Sequence, residues 1–107
     1  MPIIKIQFDD SKVKKEEVLD LSNASQKIVS EVTGIEDVFV YGNSSEIKIK
    51  IAPIEIFIEM SAIKIKDEDV LIKEIKTKLS EWKSEANFVH PINLTLIPMN
   101  WKVEIDI

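Results

Sequence analysis

The chain has 107 residues, 45% of them hydrophobic and 31% charged, with a formal net charge of −5. That length suits one domain with a modest core, and the acidic balance argues against a phosphate-backbone partner, so no nucleic acid is expected. No apolar run approaches the ~20 residues that span a bilayer, and the first residues, interrupted by Lys5 and Gln7, do not read as a signal peptide, so no membrane is expected either.

Residue usage narrows the chemistry further. Cysteine is absent, which excludes disulfides and thiolate chemistry and suits a cytoplasmic home. The single histidine, His90, is too little for a histidine-built metal site within one subunit, so no metal is expected. All 14 basic residues are lysines. Without arginine, no side chain offers the planar fork that grips a carboxylate or phosphate in two places. With only two glycines, Gly34 and Gly42, there is no Gly-rich phosphate loop, and no cofactor motif is present.

Residues 2–8 read as a strand, short and rich in isoleucine. Residues 9–13 are polar and turn-like. From about Lys14 to Thr33, Val18, Leu21, Ile28, Val29 and Val32 fall at helical spacing. Glu16 and Glu17 favour the first turn through the helix dipole, and Gly34 stands where a helix C-cap belongs. Asp37–Tyr41 is a second strand, followed by a turn at Gly42-Asn43-Ser44-Ser45. Glu46–Ile51 alternates strictly and predicts a short, half-exposed edge strand. Pro53 is tolerable at a strand start, and Ile54–Met60 is the next strand. Asp67 is the N-cap of a second helix whose apolar face runs Leu71, Ile75, Leu79, Trp82, Ala86. Ile92–Ile97 is the fourth main strand. Trp101, Val103, Ile105 and Ile107 alternate with Lys102, Glu104 and Asp106, predicting a last short strand.

The order is β-α-β twice, in a single domain over 1–107. The halves resemble each other, one beginning Pro2-Ile3-Ile4-Lys5-Ile6 and the other Pro53-Ile54-Glu55-Ile56-Phe57-Ile58. A helix between two strands permits a parallel pair. Two such units predict an α+β fold with a four-stranded mixed sheet and both helices on one face. Apolar pairs at successive strand positions, Ile3-Ile4, Val38-Phe39-Val40 and Phe57-Ile58, predict burial of both sheet faces. Two helices cover one face only, so the other face and the last strand call for a second subunit, and a homo-oligomer is expected.

Several residues carry possible chemistry. If Met1 is removed, Pro2 becomes a secondary amine at the end of a packed strand. An amino terminus titrates near about 8 before any shift, and apolar surroundings lower it toward neutrality, where a general base works best. Pro53 starts the equivalent strand but is acylated by Ala52 and can never be a base. Lys64 and Lys66 are point charges that could hold an anion, or simply a solvated connection. Tyr41 could donate to an enolate, or pack its ring and leave its hydroxyl wet. His90 before Pro91 could donate a proton, or is simply a solvated loop histidine. Lys5 reads as a surface residue. Glu55 and Glu59 share a strand face and are either a carboxylate pair, exposed, or paired with Lys5. Trp82 and Trp101 read as core or interface anchors.

With these elements placed, the chain resembles the tautomerase superfamily, the group of 4-oxalocrotonate tautomerase and macrophage migration inhibitory factor, or an uncharacterised bacterial branch of it. The resemblance rests on Met1-Pro2 leading straight into a strand, the Thr33-Gly34 helix end, the second Pro-Ile strand start, the Ser61-to-Ile65 segment, and Met99-Asn100 after the fourth strand. It implies a β-α-β-β-α-β tautomerase-like fold, a trimer, and a pocket around each terminal proline for a small carbonyl substrate, whose keto and enol forms Pro2 would interconvert. In such a mechanism a backbone N–H of Ser61, Ala62 or Ile63, or a neighbouring side chain, would hold the developing enolate oxygen, and Lys64 matches a family lysine after the third strand. Ile35 stands where the architecturally closest member has lysine, Asn93 and Thr95 stand where cytokine-like members have tyrosine and asparagine, and the arginines that hold substrate carboxylates are missing. Two rivals stay open: the same fold without catalysis, and a ferredoxin-like small-ligand module, whose sheet would interleave its halves.

Overall fold

A computed structural model describes all residues from Met1 to Ile107. The elements are β1 (Ile3–Phe8), α1 (Lys15–Thr33), β2 (Phe39–Asn43), β3 (Ile54–Ser61), a single 3-10 turn (Ala62–Lys64), α2 (Glu68–Ala86) and β4 (Asn93–Met99). Each helix boundary has a local cause. The Lys14 N–H donates to the Glu17 carboxylate at 3.0 Å, satisfying one free amide at the start of α1. Gly34 closes α1 in the left-handed region at φ 72°, where a residue without Cβ carries no steric cost. The Asp67 carboxylate accepts from the Val70 N–H and caps α2. Asn87 ends that helix at φ 53°.

The sheet order is β2-β1-β3-β4. β1 runs parallel to β2, and β3 runs parallel to β4. The two units meet in the middle through an antiparallel β1–β3 pairing that sets Ile4 against Ile58 and Ile6 against Ile56. Strands joined by a helix are direct neighbours, so the halves are not interleaved and the ferredoxin-like topology is excluded. The fold is the expected α+β arrangement of two β-α-β units.

Both helices lie on the sheet face that carries the even-numbered residues of β1 and β3. Ile4, Ile6, Ile54, Ile56 and Ile58 are fully buried there against Val18, Leu21, Val29, Ile75 and Leu79. Burying an isoleucine contributes about 1.5–3 kcal/mol, so this row dominates the core. One buried polar atom interrupts it. The Ser25 hydroxyl has no hydrogen-bond partner and lies against the small void between the helices and the sheet.

The structure corrects four expectations. Residues 46–51 alternate as a strand should but form none: Lys48 is drawn to Asp9 and Asp10 beyond the end of β1, while Ile47 and Ile49 point into solvent, 86% and 98% exposed. Residues 101–107 lie outside any ladder, because no strand of this chain runs beside them. The second strand begins two residues later than expected and absorbs Gly42 and Asn43, which pair with Ile6 and Gln7. The face away from the helices is also less apolar than expected. Ile3, Phe57, Ile97 and Met99 are half-buried and Phe39 and Tyr41 exposed, among the polar Lys5, Gln7, Glu55, Glu59, Asn93 and Thr95.

Two substitutions separate the terms of the core. Leu21→Ala is expected to cost about 2–5 kcal/mol, the range for emptying a buried leucine site. Ser25→Ala removes a hydroxyl whose unpaired burial costs about 1–3 kcal/mol, and is expected to raise the urea midpoint. A lower midpoint for Ser25→Ala would show that the hydroxyl has a partner in solution.

Candidate functional site

The end of the sheet where β1 starts is also where β3 ends. Ile3 pairs with Phe39 on one side and Glu59 on the other, so Pro2 comes next in line between Val38 and Met60. All three side chains are buried. The Pro2 carbonyl accepts from the Phe39 N–H at 3.1 Å, which fixes the strand start in the sheet. Proline suits this position because its missing N–H breaks no ladder bond. Ser61 pairs with Met99 at the same end, and the chain turns at once into Ala62–Lys64. A single such turn leaves its first amides without partners of its own.

A shallow groove of about 330 Å³ opens beside this end, bounded by Thr33, Met60, Lys64, Ile65, Lys66 and Leu71 among others. Lys64 and Lys66 stand at its rim and form no ion pair within the chain. Ile63 points to solvent, 86% exposed. Ile35 is half-buried, and its N–H donates to the Thr33 hydroxyl at 3.3 Å, which itself donates to the Val29 carbonyl. The fold therefore gathers Pro2, Ile35 and Ser61 to Lys64 at one sheet end. Tyr41 does not join them: it pairs with Lys5, three residues along β1 from Pro2, and its ring is exposed on the opposite sheet face.

The remaining candidates find ordinary partners. Lys5 Nζ bonds Glu59 at 3.0 Å across the β1–β3 pair, and Glu55 accepts from Asn93 at 3.2 Å. Those two glutamates are therefore no catalytic pair. His90 is not a solvated loop histidine, because its Nε2 lies 2.9 Å from Glu17 and its ring meets Phe88 edge-on. Trp82 packs on Phe88 with ring centroids 5.2 Å apart. No group of three or more carboxylates and histidines is placed to hold a metal ion. Sequence reading missed Met60 as a neighbour of Pro2, since only the antiparallel register aligns them. It also missed the Asp9–Asp10–Lys48 cluster, whose members are separated by a long stretch of chain.

Solved structures with this arrangement cover nearly the whole chain. A fused 4-OT, described as a wild-type asymmetric trimer, is 13% identical over 94% of this chain and 91% of its own, with a TM-score of 0.67. The chain has a tautomerase-like β-α-β-β-α-β fold. Malonate semialdehyde decarboxylase matches at 10% identity, with a TM-score of 0.69 over 95% of this chain and 90% of its own. A domain of unknown function from Sebaldella termitidis matches at 14% identity, with a TM-score of 0.65 over 100% of this chain and 98% of its own. No family model and no curated relative matches the chain. Among these neighbours the tautomerase fold carries more than one described activity, so fold alone does not select the reaction.

One ionisable contact near the helices has a pH signature. Glu17 is held below the ordinary carboxylate range, first by the Lys14 N–H and then by His90. A depressed carboxyl stabilises the fold above its unfolded value of about 4.3 and loses that contribution as pH falls. Glu17→Gln is therefore expected to lose less stability than the native chain between neutral and acid pH in urea titrations. Parallel losses in the two proteins would show that Glu17 gains nothing from these partners.

Proposed function

We propose that this protein is a tautomerase-like trimer that moves a proton beside the carbonyl of a small molecule, with the Pro2 amine as general base. The reading rests on Pro2: its ring is fully buried at the head of a central strand, against Val38 and Met60. Once Met1 is removed, that apolar setting disfavours the charged ammonium and brings the amine toward neutrality. The neutral nitrogen takes a proton from the carbon next to a ketone. An amide of the Ser61–Ile63 segment holds the enolate oxygen that develops, and the ammonium returns the proton to another atom. Lys64 supplies a positive charge that forms no ion pair within the chain, and the half-buried Ile35 adds an apolar side chain at the end of α1. Tyr41 can serve only from a neighbouring subunit. The absence of arginine favours a weakly charged substrate over a dicarboxylate.

The trimer is supported by the half-apolar sheet face that no helix covers and by the fold shared with a fused 4-OT described as a trimer. No helix is long and apolar enough to cross a membrane, and the cysteine-free composition favours the cytoplasm. A second reading has its own support. The same burial that tunes Pro2 also shields its ring from solvent, which suits a tautomerase-fold protein without catalysis.

The test follows ketonisation of a small arylenolpyruvate by the processed protein, by Pro2→Ala and by a form extended before Pro2. Positioned proton transfer contributes roughly 10²- to 10⁴-fold. Pro2→Ala leaves a primary amine and is expected to lose part of the rate, while the extended form has an amide nitrogen and is expected to lose all of it. Equal rates in all three would sink the Pro2 mechanism, and an inactive but intact trimer would leave the non-catalytic reading. Sedimentation at micromolar concentration is expected to give a trimer; a stable monomer would remove the intersubunit pocket.

A further inference from the structure

The far end of the sheet, away from Pro2, carries a second organised feature. Residues 44–53 leave β2 and return to β3 as a bent strap with no strand partner. One side chain holds its middle. Lys48 Nζ bonds Asp10 and lies 3.7 Å from Asp9, the two consecutive carboxylates that follow β1. The anchor is well built on the protein side. Asp9 is buried, and its carboxylate accepts from the Ser11 N–H and, at 2.6 Å, from the Ser11 hydroxyl. The Asp9 N–H donates to Pro53 O at 2.9 Å, pinning the strap where it enters β3. The charged and polar groups facing Lys48 are Asp9 and Asp10, with Lys12 acting on Asp9 and Ser44 on Asp10.

The strap also forms one wall of a groove of about 340 Å³ on the open sheet face. Gln7, Glu55 and Phe57 of the sheet form the floor, and Ser45, Lys50 and Ile51 of the strap form the wall. Within the strap Lys48 turns inward to the carboxylates, and Ile47 and Ile49 on either side of it are exposed.

We propose that residues 44–53 are a charge-latched strap, held closed by Lys48 bridging Asp9 and Asp10, and that the groove beside β1 exists only while this latch is made. Lys50 is the built-in comparison, since it lies two residues on and makes no ion pair. Lys48 is part-exposed, so its attraction to the carboxylates is sensitive to salt. The Debye length falls to about 3 Å at about 1 M salt, and the latch loosens there. Asp9 and Asp10 both titrate below the ordinary aspartate value, chiefly through the Ser11 and Lys48 hydrogen bonds respectively. The latch is therefore complete at neutral pH and is lost as pH falls through those depressed values.

Backbone ¹⁵N relaxation of the full chain tests this directly. At low salt, amides 46–51 of the native protein are expected to have order parameters approaching about 0.85, the rigid range, and those of Lys48→Gln to fall toward about 0.6 or below. Lys48→Arg is expected to keep the strap rigid, and Lys50→Gln to match the native protein. High salt is expected to loosen the native strap and to leave Lys48→Gln unchanged. The amide shifts of α1 and β3 report whether each variant is folded. A strap equally rigid in native protein and Lys48→Gln, or equally mobile in both, would overturn the proposal, as would a Lys50→Gln strap as loose as that of Lys48→Gln.

Discussion

The antiparallel pairing of β1 with β3 is the contact on which the rest of this molecule depends. Each β-α-β unit alone would be two strands and a helix with half a core. The β1–β3 ladder sets Ile4 and Ile6 beside Ile56 and Ile58 and makes one continuous apolar surface under both helices. Helix packing is a consequence of that surface. The apolar stripes of α1 and α2 are amphipathic and find cover only on it.

The same ladder builds the candidate site. Because the strands run in opposite directions, the beginning of the chain meets the end of β3. Pro2 is thereby set beside Met60, and the Ser61–Lys64 turn is carried to the same sheet end. The parallel β1–β2 pair adds Val38 and the end of α1 through Gly34. A terminal amine in such a place would be dry, the setting that shifts an amine toward neutrality. The site needs no long-range arrangement of charges, in keeping with a chain that has no arginine.

Polar contacts divide by their surroundings. Lys5–Glu59 lies across neighbouring strands on a partly exposed face, where an ion pair contributes little. Glu17 serves two partners, the Lys14 N–H and His90, and so ties the start of α1 to the loop before β4. Asp9 and Asp10 hold Lys48 and with it a segment that has no ladder of its own. The two sheet ends differ accordingly: the Pro2 end is enclosed by apolar side chains, and the opposite end is tied by charge.

Local sequence determined the elements wherever their cause is local. Helical spacing from Val18 to Val32, Gly34 at the cap, Asp67 before α2 and the isoleucine rows of β1 and β3 each carry their own physical reason. So does the repeated Pro-Ile start that reveals two similar units. Tertiary structure decided whatever depends on a neighbour. Residues 46–51 have the alternation of a strand, yet alternation supplies only a face; a strand also needs a paired edge, and Lys48 found carboxylates instead. Residues 101–107 have the same pattern and no strand of this chain beside them. His90 reads as a loop residue until folding brings Glu17 to it across the molecule. Pro2 is legible as a candidate base from its place before the first strand, but its burial and its place in line with Val38 and Met60 come from the fold. Only the register of two ladders puts those residues beside it, because side-chain neighbours across a sheet are set by pairing and not by distance along the chain.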